Sequence, residues 1–82
     1  MAYPNTPVER RTFAEGWQSA NDVHGAAHIW KVEADGKFLR YEADYYSGGQ
    51  MLANFKGASI ARVIIKLQSR FGPARKPCGP SA

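Results

Sequence analysis

The clearest helical pattern of apolar and polar positions lies near the end of the chain, between Ser59 and Gly72. Its apolar residues recur at spacings of three and four, namely Ile60, Val63, Ile64, Leu67 and Phe71. Serine is a favourable N-cap, and glycine followed by proline is a common helix end. The pattern therefore predicts an amphipathic C-terminal helix that packs its apolar side on the rest of the domain.

An earlier segment also has helical spacing. Thr12 and Glu15 have the spacing of a capping box, and Gly25 is a plausible C-terminal stop, although Gly16 costs about 1 kcal/mol relative to alanine inside a helix. The apolar residues that follow Thr12 at helical spacing are Phe13, Trp17, Ala20 and either Val23 or the neighbouring His24. This segment predicts an N-terminal helix.

Alternating residues flank the dipeptide Asp35-Gly36, which favours a type I′ hairpin turn. If these two residues form the loop, one side of the hairpin is a core face that pairs Val32 with Leu39, Trp30 with Tyr41 and His28 with Ala43. The other side is a mixed-charge face that we expect in solvent: Ile29, Lys31, Glu33, Phe38, Arg40, Glu42 and Asp44.

A second turn is indicated by Ser47-Gly48-Gly49, followed by a third strand over Met51 to Lys56. Its register stays open, because a loop one residue longer or shorter would exchange the two faces. The sequence thus predicts an α+β domain in which a three-stranded antiparallel meander carries an N-terminal and a C-terminal helix on one face. All five prolines lie outside the centre, so we expect one domain over residues 12–72, with flexible segments at 1–11 and 73–82.

Length and composition exclude several classes of protein. A chain of 82 residues with 44% hydrophobic residues fits one small folded domain with little room for an enclosed substrate pocket. No apolar run approaches the roughly 18 residues of a membrane span. The single cysteine, Cys78, has no partner for an internal disulfide and is interpreted as an incidental tail residue. We therefore expect a cytoplasmic protein with no membrane contact.

The formal charge of +4 belongs mainly to the ends of the chain. Between Phe13 and Gly72 there are seven basic and six acidic residues, which leaves the expected core nearly neutral. Affinity for nucleic acid depends largely on counterion release by clustered cations. A nearly neutral core therefore favours a protein partner over nucleic acid.

Residues of catalytic type do not form a recognisable constellation. The chain has two histidines, no HExxH motif, no glycine-rich phosphate loop and no Cys/His cluster. His24 and His28 are four apart, but the intervening Gly25-Ala26-Ala27 indicates a loop rather than a metal-binding helix face. The carboxylates around the hairpin are typical of a solvated sheet face. We expect no enzymatic activity, no cofactor and no metal site.

Candidate binding residues fall into two groups. The first is a separate basic stripe on the predicted last helix, whose alternative interpretation is a solubility face. The second is a set of aromatic and basic residues near the hairpin ends, where one of two adjacent tyrosines could instead belong to the core. The expected partner-binding residues are Arg62, Lys66 and Arg70 in the first group, and Phe38, Arg40, Tyr45 and Tyr46 in the second.

The predicted order of helix, three strands and helix is similar to that of double-stranded RNA-binding domains, and the strands with one helix are similar to AP2-type DNA-binding domains. The lysine-rich start of the last helix in the RNA-binding family corresponds here to residues 56–62, where only Lys56 and Arg62 are basic. The arginine- and tryptophan-rich strands of AP2 domains are also missing. The binding residues of neither family transfer to this chain.

In size and character the chain resembles small phage-encoded inhibitors of the anti-CRISPR type, on account of its shortness, its lack of catalytic motifs and its mixed-charge faces. The resemblance implies a protein that acts in the host cytoplasm by binding a host complex, which could be a nucleic-acid-handling machine. Our leading hypothesis is a non-enzymatic inhibitor or adaptor that binds a protein. The alternative is a small nucleic-acid-binding domain that uses the basic stripe and sheet aromatics, and a homodimer is compatible with either.

Overall fold

A computed structural model describes residues 8–75 as one antiparallel sheet and one helix. The strands lie in the order of the chain, so the sheet is a meander. The elements are β1 (Glu9–Gln18), β2 (Gly25–Ala34), β3 (Lys37–Ser47), β4 (Gln50–Gly57) and α1 (Ile60–Phe71). The α+β class, the three predicted strands and the C-terminal helix are confirmed, and the sheet has a fourth strand at its beginning.

That fourth strand replaces the predicted N-terminal helix, which is wrong. β1 pairs antiparallel with β2, and a bulge at Ala14 interrupts the register between Phe13 and Glu15. In a regular strand residues four apart share a face, but the bulge turns Phe13 and Trp17 to opposite faces. The spacing of four that suggested a helix is therefore also compatible with a bulged strand. Pairing with the free edge of β2 satisfies the backbone hydrogen-bonding groups of β1. The residue pattern of β1 itself carries no information about that edge, because β2 lies later in the chain.

Both predicted turns are present as two-residue hairpin loops. Asp35 and Gly36 have φ values of 54° and 73°, as a type I′ turn requires. Gly48 and Gly49 have φ values of 62° and 82° and join β3 to β4. The expected third strand forms β4.

The predicted register of the first hairpin is wrong by one residue. Leu39 forms a bulge, so Val32 pairs with Arg40 and Trp30 pairs with Glu42. Because side chains alternate between faces, this single extra residue inverts β2 relative to β3. Ile29, which we expected in solvent, is fully buried, whereas Trp30 lies on the other face of the sheet.

The core lies between α1 and one face of the sheet, here called the helix side. Its buried residues are Trp17, Ala27, Ile29, Ala43, Tyr45, Val63 and Leu67. The predicted apolar stripe of α1 is confirmed, since Val63 and Leu67 are fully buried and Ile60, Ile64 and Phe71 pack against them. Among residues 8–75 no helix is long and apolar enough to cross a membrane.

The ends of α1 are capped as predicted. The Ser59 hydroxyl accepts a hydrogen bond from the Arg62 amide at 3.2 Å, and the Gly72 amide donates to the Gln68 carbonyl at 2.9 Å. These bonds satisfy backbone groups that a helix end otherwise leaves unpaired.

Structured residues extend beyond the expected domain limits at both ends. β1 begins at Glu9 rather than at position 12. After α1 the chain returns to the end of β1, where the Arg75 amide donates to the Gln18 carbonyl at 2.7 Å. Other parts of the expected flexible segments, 1–7 and 76–82, lie outside the described residues, and so does Cys78.

Candidate interaction surfaces

The sheet face opposite α1, here called the open face, is covered by no other element of residues 8–75. Four ring-bearing residues meet at its centre, and together they are called the aromatic face: Phe13, His28, Trp30 and Tyr46. Strand pairing brings them together, because Phe13 on β1 lies opposite Trp30 on β2, and His28 lies two residues from Trp30 on the same side. Gly16 opposite His28 carries no side chain that could cover it.

The rings of the aromatic face pack edge to face, except that His28 and Tyr46 are tilted relative to each other. Ring centroids are 5.8 Å apart between Phe13 and Trp30, 6.0 Å between Phe13 and His28, and 5.8 Å between His28 and Tyr46. The ring planes are inclined by 83°, 68° and 55° in these pairs. Phe13 remains 55% exposed, and His28 is also exposed. Trp30 and Tyr46 are half-buried beside them. The domain therefore leaves part of this ring cluster in solvent.

Arg11 is held against the aromatic face from the side of β1. Its Nη2 donates to both carboxylate oxygens of Asp44, at 3.1 and 3.0 Å, and lies 3.4 Å from Oε1 of Glu42. Its guanidinium lies 5.1 Å from the centroid of the Trp30 ring, a cation–π contact. These contacts fix the guanidinium of Arg11 over the ring of Trp30.

Two carboxylates are buried beneath this layer, although the sheet face has no covering element. Glu42 is 9% exposed and Asp44 is 5% exposed. Arg40 Nε donates to Glu42 at 2.6 Å, and Asn54 Nδ2 donates to Asp44 at 2.7 Å. Burial raises the pKa of Glu42, but the hydrogen bonds from Arg40 and Asn54 and the positive charges of Arg40 and Arg11 together outweigh it, so the pKa lies below its ordinary value.

The charges of the open face nearly cancel. Arg40 also donates to Glu9 at 2.6 Å, which completes a network of three carboxylates and two guanidiniums. Lys56 lies opposite Glu42 on β4 and is exposed. The network and this lysine together are neutral. Lys37, exposed at the start of β3, adds one positive charge to this sum, so the open face presents rings and a bound arginine with a net charge of only +1.

The expected sheet residues do not form one surface. The prediction that Tyr45 is a contact residue is wrong, because Tyr45 is 1% exposed. Its ring stacks on that of Phe71 in the core, with 3.6 Å between the ring centroids. Burial raises the pKa of the Tyr45 hydroxyl. Tyr46 belongs to the aromatic face, and Arg40 belongs to the network beside it. Phe38 is 44% exposed but lies on the helix side, in contact with Tyr41.

The expected basic stripe is present on the outer side of α1. Arg62, Lys66 and Arg70 are all exposed, and none of the ion pairs among residues 8–75 includes them. The Lys66 ammonium donates to the Lys56 carbonyl. α1 contains no acidic residue. All charged side chains on its outer side are therefore cationic.

Four residues of the open face were missed as binding candidates: Arg11, Phe13, His28 and Trp30. The helix expected from Thr12 placed Phe13 in a core stripe, and the incorrect hairpin register placed His28 and Trp30 in the core. One feature of the sequence argued against the predicted helix. Glycine, here at position 16, disfavours a helix and is often found near bulges in strands. The Leu39 bulge left no comparable signal in the sequence.

Within residues 8–75 no group of three or more His, Cys, Asp or Glu side chains is close enough to hold a metal ion. Comparisons with protein-family models, curated proteins and solved structures find no match to this chain.

Proposed function

We propose that this protein is a non-enzymatic binding domain that holds a protein partner against its aromatic face, and that it acts as an inhibitor or adaptor of the partner's complex. The observation that carries the proposal is the partly exposed ring cluster at the centre of a sheet face that no other element of residues 8–75 covers. A domain of this size has little apolar surface to spare, so exposed rings that could have been replaced by polar residues suggest a contact surface.

The residue types favour a protein partner. Tryptophan, tyrosine and arginine dominate the energetic centres of protein interfaces, and here Trp30, Tyr46 and Arg11 lie together. Charged residues are depleted at interface centres, and the two carboxylates nearest the rings, Glu42 and Asp44, are buried rather than presented to a partner. The ion pairs that hold Arg11 reduce the side-chain entropy lost on binding.

Stacking of unpaired bases is a poorer fit to the same surface. Single-stranded nucleic acid needs ring faces on which successive bases can lie, together with cations for the backbone. The rings here are inclined to one another by 55° or more. The nearest guanidiniums, those of Arg11 and Arg40, are engaged by carboxylates.

Site-specific photocrosslinking in extract from the source cells or their host tests the proposal. A photoreactive phenylalanine analogue replaces Phe13 in one protein and Phe38 in a matched control. Both positions are exposed phenylalanines, at 55% and 44%, but they lie on opposite faces of the sheet. We expect one protein to be captured at position 13 and not at position 38. Capture of the same protein at both positions, or at position 38 alone, would contradict the assignment.

A variant pair then measures the contribution of the face to binding of the captured protein. The Phe13→Ser, His28→Glu variant should bind it at least about tenfold more weakly, whereas Phe38→Ser should bind as the parent does. Thermal melts establish that both variants are folded. An inhibitor lowers the activity of the captured protein in a direct assay, and an adaptor leaves it unchanged.

A second candidate function is nucleic-acid binding through the outer side of α1. It is favoured by one observation, the absence of any ion pair to Arg62, Lys66 or Arg70 among the described residues. Three phosphate contacts correspond to a salt slope of only about −2.7 and hence to weak affinity at physiological salt. A mobility-shift titration distinguishes the two functions.

A further inference from the structure

We propose that the outer side of α1 is a second binding site, independent of the aromatic face, and that it docks an acidic protein segment with one apolar anchor residue. The site lies on the helix side of the sheet, whereas the aromatic face lies on the open side. One flat partner surface cannot cover both, so each would engage a separate segment or a separate protein.

Charge complementarity determines the sign of the charge that a ligand of this surface must carry. Arg62, Lys66 and Arg70 follow at intervals of four residues, which places them along one edge of α1 about 12 Å in length. The acidic residues of the ion-pair networks lie on the sheet, at Glu9, Glu33, Glu42 and Asp44. With no carboxylate on α1, these cations keep their full attraction for an anionic partner.

An exposed apolar residue lies among the cations. Ile65 is 59% exposed, next to Lys66 in the chain. A shallow cleft opens beside it between the end of β4 and α1, lined by Gly57, Ala58, Arg62, Ile65 and Lys66. Three of these five lining residues, Gly57, Ala58 and Ile65, are apolar, and the other two are cationic.

A cleft lined by both apolar and cationic residues should bind two kinds of polyanion with different affinities. A phosphate backbone gains from the cations but has no apolar group for Ile65 to cover. An acidic peptide with a leucine or similar residue gains from both, because burial of an aliphatic side chain adds to the charge attraction. The geometry therefore points to an acidic protein segment.

Nuclear magnetic resonance titration of the full-length, isotopically labelled protein tests the site at about 150 mM salt. Three probes are used: a short peptide of Asp and Glu with a central Leu, the same peptide with Ser in place of Leu, and a short DNA duplex. We expect the Leu peptide to shift amide signals of Gly57, Arg62, Ile65 and Lys66. The Ser peptide should bind about tenfold more weakly, and the duplex more weakly than the Leu peptide.

Matched variants place the binding on α1. Arg62→Glu with Arg70→Glu should abolish binding of the Leu peptide, and Ile65→Ser should weaken it about tenfold. Lys66 is left unchanged because it donates to the Lys56 carbonyl. The control is Arg10→Glu with Lys37→Glu, which makes the same charge change at exposed positions in β1 and β3 and should bind as the parent does. The Phe13→Ser, His28→Glu variant should also bind the peptide normally.

Several results would overturn the inference while leaving the aromatic face untouched. Tighter binding of the duplex than of the Leu peptide would assign the surface to nucleic acid. Equal binding of the two peptides would remove the apolar anchor. No binding of any probe, or equal losses in the Arg62, Arg70 variant and its charge-matched control, would leave α1 as a solubility face.

Discussion

At the scale of single side chains, Glu42 is the carboxylate of the open face with the most side-chain hydrogen-bond partners. It accepts from Arg40 and lies near Arg11 and Asn54, so it connects three strands. Replacing it with glutamine keeps the shape but removes the charge that these donors face. Because Glu42 is 9% exposed, water compensates only in part for the lost pairing.

The Glu42→Gln variant should lose stability in a pH-dependent way. The folded pKa of Glu42 lies below the ordinary value of 4.5, so the charged form is favoured by folding. The contribution is therefore fully present above pH 4.5 and is lost as the pH falls through the lower, folded pKa. Urea unfolding should show a gap of about 1 kcal/mol or more between parent and variant near neutral pH, and the gap should close on acidification.

Glu15→Gln is the control, since Glu15 is exposed on β1 and belongs to no ion pair among residues 8–75. Its stability should follow that of the parent. A Glu42→Gln gap of constant size from neutral to acidic pH would mean that the lost stability does not come from the charge of Glu42.

At the scale of elements, the β2–β3 hairpin sets which residues reach the open face. Its turn holds Gly36 at a φ of 73°, a conformation that β-branched residues rarely adopt. Gly36→Val should therefore destabilise the domain by about 2 kcal/mol. The measurement is the midpoint of urea unfolding at constant slope.

Gly16→Val is the matched control for this change. Gly16 is also exposed, but its φ lies outside the left-handed region and an added Cβ would meet only the Phe13 ring edge at 3.9 Å. Because valine favours strands, its stability should equal or exceed that of the parent. Equal losses in the two variants would mean that the turn conformation is not what makes Gly36 necessary.

At the scale of the whole molecule, charge is distributed unevenly. The ion pairs of the described residues lie on the sheet, while α1 has only cations. The net charge of +4 is thus spread over the helix and the chain ends rather than gathered in one deep groove. Such a distribution supplies few simultaneous phosphate contacts.

The protein should therefore retain no appreciable duplex DNA, duplex RNA or single strands in a mobility-shift titration at about 150 mM salt. Submicromolar binding with a steep salt dependence would contradict this expectation. In that case Arg62, Lys66 and Arg70 would become phosphate contacts, and the second candidate function would become the first.

Prediction from the sequence succeeded for the parts of this fold that depend on near neighbours. The turn at Asp35-Gly36 requires positive φ values that these two residues supply themselves. α1 begins at an N-cap serine and ends before a glycine, and its buried side follows from the spacing of its own apolar residues. Each of these interactions spans four residues or fewer, so the sequence by itself determined the hairpin turns and the helix.

The tertiary structure alone decided which face each strand residue occupies. Side chains alternate with a period of two, so the bulges at Ala14 and Leu39 each invert a face without changing the local pattern. Whether residues 9–18 form a strand or a helix likewise depends on pairing with the free edge of β2, which is distant in sequence. The aromatic face is made by these long-range pairings, and so it could be recognised only after the strands were placed side by side.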